Sequence, residues 1–385
     1  MDARVPGARL VVGSPEGRGY TRPVSIRDQS PWVVLCETEQ RRWGGDMRRA
    51  LIFGELARAT GALEAQGWGH RAVRQAVRAV AGPPFPWRRR PALASTEFLS
   101  EGGTEQARRS TRPVILDVHD HPIFQFEAFR RPIEPSLRVA LEDKLRRNLA
   151  TFPLYSAPSK SFAALAGLDP SRTIVAPNGS DTGHVTPRPV PVDPAIGMIS
   201  GAAEGRGIEA LVEAARRLRL GEPTLTLYLW LVAGDETGEA YLSTVRAAVD
   251  ADPWIVIRSL DHDDVPEALG RATVLVVPHP AHPYMDVAVP VKLIDSMAAG
   301  RPVVVTPRTE TRRIIEASEG GIVADADGPE ALAAAIGPLL KDRPLAARLG
   351  ANARAAAETE YDWGVIGRRL AEAVLARSSD RPASG

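Results

Sequence analysis

Six short runs rich in Val, Ile and Leu recur through the second half of the chain, at Ala195–Ser200, Leu225–Ala233, Trp254–Arg258, Thr273–Val277, Pro302–Thr306 and Gly321–Val323. Longer amphipathic segments separate them. Between the first two, Ile208, Leu211, Val212, Ala215 and Leu218 fall at helical spacing, and 238–250, 264–270 and 291–299 carry comparable patterns. Strand, helix, strand repeated in this way predicts a parallel, doubly wound α/β sheet. Ligands of such sheets collect beyond the carboxyl ends of the strands, which points to the loops 200–207, 259–264, 278–289 and 306–312.

The first half is less regular. Trp32–Cys36 and Val114–Val118 read as strands, Ala92–Phe98 as a weaker one, and 46–60 as a helix; the first 30 residues and the tail after Ala376 read as irregular. A chain of 385 residues exceeds one ordinary core, so two domains of roughly 150 to 200 residues are expected. Charge divides the same way: residues 1–190 hold 28 basic and 19 acidic side chains, whereas 191–385 hold 20 and 28. A basic first half suits an anionic acceptor or peripheral contact with an anionic membrane surface, although complementarity between the two domains explains it equally well. One cysteine, Cys36, excludes an internal disulfide framework, and with no apolar leader the expected setting is cytoplasmic. The longest apolar run, Leu225–Ala233, is too short to span a bilayer.

Within this frame the run 290–304 carries the densest chemistry. Pro290 suits the first position of a helix, where the missing N–H costs nothing, and the free amides beyond it would face an anion at the positive end of the helix dipole. Lys292 and Asp295 are three residues apart and share a helical face. A cation for a phosphate beside a carboxylate that accepts from two hydroxyls suits a sugar nucleotide. An ordinary amphipathic helix packed on a sheet is the competing reading. Only four of the 48 basic residues are lysines, so a lysine at 292 hints that arginine would not serve there.

Several segments together resemble the family 4 retaining glycosyltransferases. Val175–Thr182 is similar to the stretch at which that family's first domain ends, Gly201–Ile208 to the first loop of its nucleotide-binding domain, 290–304 to its nucleotide-sugar helix, and Trp43–Arg49 to the Gly-rich loop after its first strand. The resemblance implies a GT-B fold, two Rossmann-like doubly wound domains facing each other across a cleft. It implies an extension over 1–30, an acceptor domain over 31–190, a nucleotide-sugar domain over 191–362, and a helix from 363 that crosses back to the first domain before the tail. The activity implied is transfer of a sugar from a nucleoside diphosphate sugar to a glycan, lipid or small-molecule acceptor, with retention and without a cofactor. Arg206 and Lys292 would meet the diphosphate, His119 the donor sugar beside the reacting carbon. Asp295, Val289, Val291 and Leu260 would line the donor site, and Gly44, Gly45 and Asp46 an acceptor or phosphate loop. The family commonly carries two glutamates eight positions apart; here those positions are Val287 and Asp295, and a second basic residue often found at 201 is Gly201.

The residues themselves leave rivals open. In Asp117-Val118-His119-Asp120-His121 the polar groups follow a strand, which places them at the cleft, but His-x-His is also a metal-ligand spacing. The other histidines, His70, His184, His262, His279 and His282, form no helical pair with a carboxylate that would complete such a site. Asp263 or Asp264 is expected to cap the helix at 264–270, with Glu267 completing a capping box. Trp87-Arg88-Arg89-Arg90 reads as a solvated loop, and no nucleic-acid partner is expected. A degenerate member that binds a sugar nucleotide or a partner enzyme without turnover is the main alternative, motivated by Val287 and Asp295.

Overall fold

The structure, a computed structural model, describes residues 9–12, 20–23, 33–36, 52, 63–66, 92–95, 114–129, 132–150, 152 and 154–379. Gly44, Gly45, Asp46, the Trp87–Arg90 loop and, apart from the helical Ile52, the predicted helix at 46–60 lie outside them. Within the first 30 residues, β1 (Arg9–Val12) pairs antiparallel with β2 (Tyr20–Pro23), where an irregular segment was expected.

The first domain is a six-stranded sheet in the order β4-β3-β5-β6-β7-β8, parallel throughout. Its strands are β3 (Val33–Cys36), β4 (Leu63–Gln66), β5 (Ala92–Ser95), β6 (Val114–Asp117), β7 (Leu154–Ala157) and β8 (Thr173–Val175). The second domain has another six-stranded parallel sheet, β11-β10-β9-β12-β13-β14. It comprises β9 (Ala195–Gly201), β10 (Thr226–Val232), β11 (Ile255–Arg258), β12 (Val274–Val277), β13 (Val303–Val305) and β14 (Gly321–Val323). All six second-domain strands predicted from apolar runs are present, within two residues at either end. Strand order reverses between β9 and β12, so their carboxyl-terminal loops diverge and leave a crevice.

Burial explains why these segments fold as they do. β12 and β13 are buried along their whole length, as parallel strands covered on both faces must be. The helix Ile208–Arg219 turns Ile208, Leu211, Val212, Ala214 and Ala215 onto one face of the sheet, and the helix Val291–Ala298 turns Leu293, Ile294, Met297 and Ala298 onto the other. Each fully buried Leu or Ile here contributes about 1.5–3 kcal/mol by leaving water. That burial leaves Lys292 and Asp295 on the outward side.

The domains are joined through both core and backbone. The helix Trp363–Ser379 crosses back: its Trp363, Ile366, Leu370 and Val374 pack with Ile115 of β6 and Ile174 of β8. Conversely, Tyr284 and Met285 of the short helix Pro283–Val287 enter the first domain's cluster around Leu116, Ile123, Phe152 and Phe162. Among the described residues no helix is long and apolar enough to cross a membrane.

Candidate functional site

Between the two sheets lies a cleft of about 2500 Å³. The loops after β6, β9, β11 and β12 line it, as do His119, Arg206, Leu260, Val289, Val291, Lys292 and Asp295. The loop 306–312, expected at the cleft, is set behind it. Arg308 is buried there in ion pairs with Asp327 (2.7 Å) and Asp286 (3.6 Å), and Ser161 of the first domain hydrogen-bonds Glu310. The segment thus braces the loop after β12 instead of offering groups to a ligand.

The loop after β9 is shaped by two glycines. Gly207 has φ +77°, and a Cβ there would fall 1.8 Å from the Pro278 carbonyl oxygen; Gly205 has φ +73° and abuts the Ala128 carbonyl of the first domain. Arg206 stands between them. A side chain added at Gly201 would approach to 4.0 Å from Arg206 Nη2, so this one arginine occupies the space beside position 201. Its guanidinium lies over the Phe129 ring at 3.5 Å from the centroid, and its Nε is buried without a hydrogen-bond partner among the described residues. Burial lowers its pKa to about 10, against the favourable pull of Tyr284 and Asp120.

Pro290 is the N-cap, with extended backbone, and the helix starts at Val291; the expectation that Pro290 occupies the first helical position is corrected by one residue. Among the described residues no side chain caps this end. The Val289 carbonyl just before it accepts from Asn178 Nδ2 at 2.6 Å, which ties the helix start to the 178–182 segment of the other domain. Burial and the charge of Arg206 drive the Lys292 pKa well below its usual range, opposed by Asp295. Burial raises the Asp295 carboxyl to about 7, with the nearby Ser180 hydroxyl restraining the rise and Asp181 adding to it. Neither Arg206 nor Lys292 is ion-paired among the described residues.

On the opposite wall, His119 Nδ1 sits 3.3 Å from Asp117 Oδ2, and Nε2 3.7 Å from Asp120 Oδ2. Asp117 is buried and accepts from Ser156 Oγ at 2.6 Å, so its carboxylate is held in place beneath the imidazole. His121 points away into the core. Its Nδ1 accepts weakly from the Phe124 amide at 3.4 Å, and burial lowers its pKa to about 4. The two histidines of His-x-His therefore do not converge, and no group of three or more metal-ligating side chains occurs among the described residues. Asp264 precedes the helix Val265–Gly270 in helical backbone and makes no side-chain cap; Glu267 instead bonds Arg271 at 2.6 Å, which overturns the expected capping box.

Four cleft features escaped the sequence. Tyr284 donates its hydroxyl to Asp120 across the domain boundary, while burial and the Asp120 charge keep the phenol protonated. Phe129 meets Arg206. His184 and His262 stack at 5.5 Å between centroids. His279 is 2 % exposed, and burial with the charges of Lys292, Arg206 and Arg308 pushes its pKa well below the usual histidine range, leaving a neutral imidazole among three cations. The one signal for His279 was its place directly after β12; the other contacts depend on how the domains meet.

Comparison with known proteins agrees with this architecture. Residues 193–342 match the family model described as Glycosyl transferases group 1. No curated protein matches the chain. Among solved structures, Anabaena HepE in complex with UDP is 18% identical, with 90% of this chain and 99% of that one covered and a TM-score of 0.66. HepE has also been solved with UDP-glucose, at 17% identity, the same coverage and a TM-score of 0.65. The sucrose-phosphate synthase of Thermosynechococcus elongatus is 15% identical over 92% of this chain and 100% of that one, with a TM-score of 0.68. By fold the chain is thus a GT-B protein of two Rossmann-like domains, and its second domain is the part that matches the group 1 glycosyltransferases.

Proposed function

We propose that the protein is a glycosyltransferase that moves a sugar from a nucleoside diphosphate sugar to an acceptor hydroxyl with retention at the anomeric carbon. The observation that carries this reading is the pair Arg206 and Lys292: two cations on one cleft wall, neither of them in an ion pair among the described residues, beside the start of the helix Val291–Ala298, which no described side chain caps. Keeping like charges together in a partly dry site is unfavourable without an anion. A diphosphate supplies that anion, and the same charges stabilise it as it departs. The fold likeness to HepE, solved with UDP and UDP-glucose, supports a nucleotide-sugar donor and makes UDP the first to test.

In this reading the donor lies on the second domain, with Asp295 accepting from ribose hydroxyls and Leu260, Val289 and Val291 as apolar neighbours. The acceptor, a glycan, lipid or small molecule, enters from the first domain. Its oxygen bonds to the anomeric carbon from the side of the leaving group as the carbon–oxygen bond to the diphosphate breaks, and its proton passes to a diphosphate oxygen. His119, whose Nδ1 lies 3.3 Å from Asp117, faces the sugar ring. Fixed charge from Arg206 and Lys292 serves the leaving group, so turnover is expected to survive EDTA. The single cysteine accords with a cytoplasmic setting.

A thermal-shift panel of UDP, GDP, ADP and TDP tests the donor site, because a ligand that binds only the folded state raises its stability. One diphosphate should shift the melting temperature, and Arg206→Ala or Lys292→Ala should weaken both the shift and release of nucleotide from the matching sugar nucleotide. No shift with any of the four would refute the reading. Binding without turnover on a broad acceptor panel would favour a non-catalytic sugar-nucleotide binder. Val287 motivates that alternative, since it packs toward the first domain's core and places no carboxylate at its position.

A further inference from the structure

Phe129 ends the helix Pro122–Phe129, the element that directly follows the His119 loop. Its ring and the Arg206 guanidinium belong to different domains, yet Cζ lies 3.5 Å from the ring centroid. Tyr284 meets the same ring edge-on, at 6.0 Å and 90°, and is itself anchored to Asp120. One residue before Phe129, the Ala128 carbonyl seats against Gly205, 2.6 Å from where a Cβ would stand. The end of this first-domain helix is therefore fitted to the loop that carries Arg206 at both backbone and side chain.

An arginine side chain has large rotamer freedom, and an unpaired guanidinium in an open cleft would have to be ordered when a ligand arrives. Among the described residues no carboxylate ion-pairs with it, and its Nε has no hydrogen-bond partner. What lies against it is the face of the Phe129 ring, whose negative charge attracts the cation more strongly where water is thin and leaves the guanidinium N–H groups free to donate. We infer that Phe129 is a positioning residue for the donor site: a ring of the first domain orients Arg206 of the second for the diphosphate, so that donor affinity depends on the two domains being together. This rests on the donor reading above. It makes the 117–129 segment a single coupling element, with His119 on the sugar side at one end and Phe129 behind the diphosphate cation at the other.

The test measures affinity for whichever of UDP, GDP, ADP and TDP gives the largest thermal shift, in Phe129→Leu, Phe129→Tyr, Arg206→Ala and the Phe129→Leu/Arg206→Ala double variant. Phe129→Leu should raise the Kd about 3- to 30-fold, the range set by losing a partly desolvated cation–π contact. Phe129→Tyr should restore it. In the Arg206→Ala background, Phe129→Leu should add nothing, because its effect passes through the guanidinium. Melting temperatures without ligand show whether the leucine variant is folded, and the tyrosine variant keeps the ring if it is not. An unchanged Kd in Phe129→Leu while Arg206→Ala weakens binding would overturn the positioning role and spare the donor site. Equal weakening with and without Arg206 would assign Phe129 to packing and also overturn it. If Arg206→Ala and Lys292→Ala both leave binding intact, the donor reading fails first.

Discussion

Asp295 sits on the cleft side of a helix whose other side is fully buried, beside Lys292 and within the field of Asp181. Burial is the largest cause of its rise to about 7, far above the usual carboxylate range. The folded protein therefore holds a proton here between about pH 4 and 7 that the unfolded chain has released, so stability at this site declines as pH rises through that window. Above pH 7 the cost of the buried charge is fully present. Asp295→Asn should raise the melting temperature at pH 8, and by less than half as much at pH 5, where the window is only partly crossed. After discounting for solvent in the cleft and for the carboxylate lost to Lys292, the gain is about 1–2 kcal/mol, or roughly 1–3 °C for a chain of this length. The same substitution should weaken nucleotide binding, because an amide accepts less well from ribose hydroxyls than a carboxylate does. Calorimetric scans at the two pH values, with and without nucleotide, check both halves. A variant equally stabilised at pH 5 and pH 8 would remove the burial argument.

At the scale of elements, the loop after β9 shows how backbone conformation places a charge. Gly207 begins the helix Ile208–Arg219 from the left-handed region, with φ +77°, and has no room for a Cβ against Pro278. Gly207→Ala imposes a left-handed strain of about 1–2 kcal/mol and displaces the loop from Pro278 as well, so a loss of roughly 3 kcal/mol is expected in urea unfolding. Nucleotide affinity should fall with it, since Arg206 is the neighbouring residue. The second-domain strands were legible because each is a short apolar run rich in Val, Ile and Leu, fully buried at the centre of the sheet in β12 and β13 and part-buried at its edges, a pattern that polar loops cannot mimic. In the first domain, Leu63–Gln66, Leu154–Ala157 and Thr173–Val175 are short and mixed in polarity, and their pairing in a sheet has no local signature. Arg206, Lys292, Asp295 and His119 could be placed at the cleft from sequence because each follows a strand end or begins a helix. Phe129, Tyr284 and the His184–His262 stack could not, because each is defined by a partner more than 70 positions away in the chain. Asp264 failed as a cap for a local reason: its backbone is already helical, so its carboxylate cannot turn back to the free amides.

The whole molecule is held at the point where the chain passes between domains. It does so once near 180 and again near 362, and the two passes are stitched: the Ser180 amide donates to the Tyr361 carbonyl at 2.9 Å, and the Trp363 amide donates to the Ser180 carbonyl at 3.1 Å. Asp362 works in both directions. One carboxylate oxygen accepts from the Gly364 and Val365 amides and caps the returning helix, while the other accepts from the Thr182 hydroxyl at 2.7 Å. Arg354 adds bonds to the Thr182 and Val185 carbonyls on the first pass and to the Ala298 carbonyl at the end of the Lys292 helix. Beyond the stitch, Trp363, Ile366, Leu370 and Val374 carry part of the first domain's core, so that core is complete only once the chain has returned from the second domain. Unfolding of the two should therefore be coupled despite separate sheets. Asp362→Ala removes the cap and the Thr182 bond but leaves the backbone stitch, at a cost of about 2 kcal/mol. The expected outcome in scanning calorimetry is a lower melting temperature and a broadened endotherm that resolves toward two transitions, with far-ultraviolet circular dichroism unchanged at low temperature. Nucleotide should sharpen the endotherm again, because a ligand held by Arg206, itself seated on Phe129, binds best when both domains are in place. A single sharp transition at the original temperature would show that the apolar contacts of the returning helix couple the domains without Asp362.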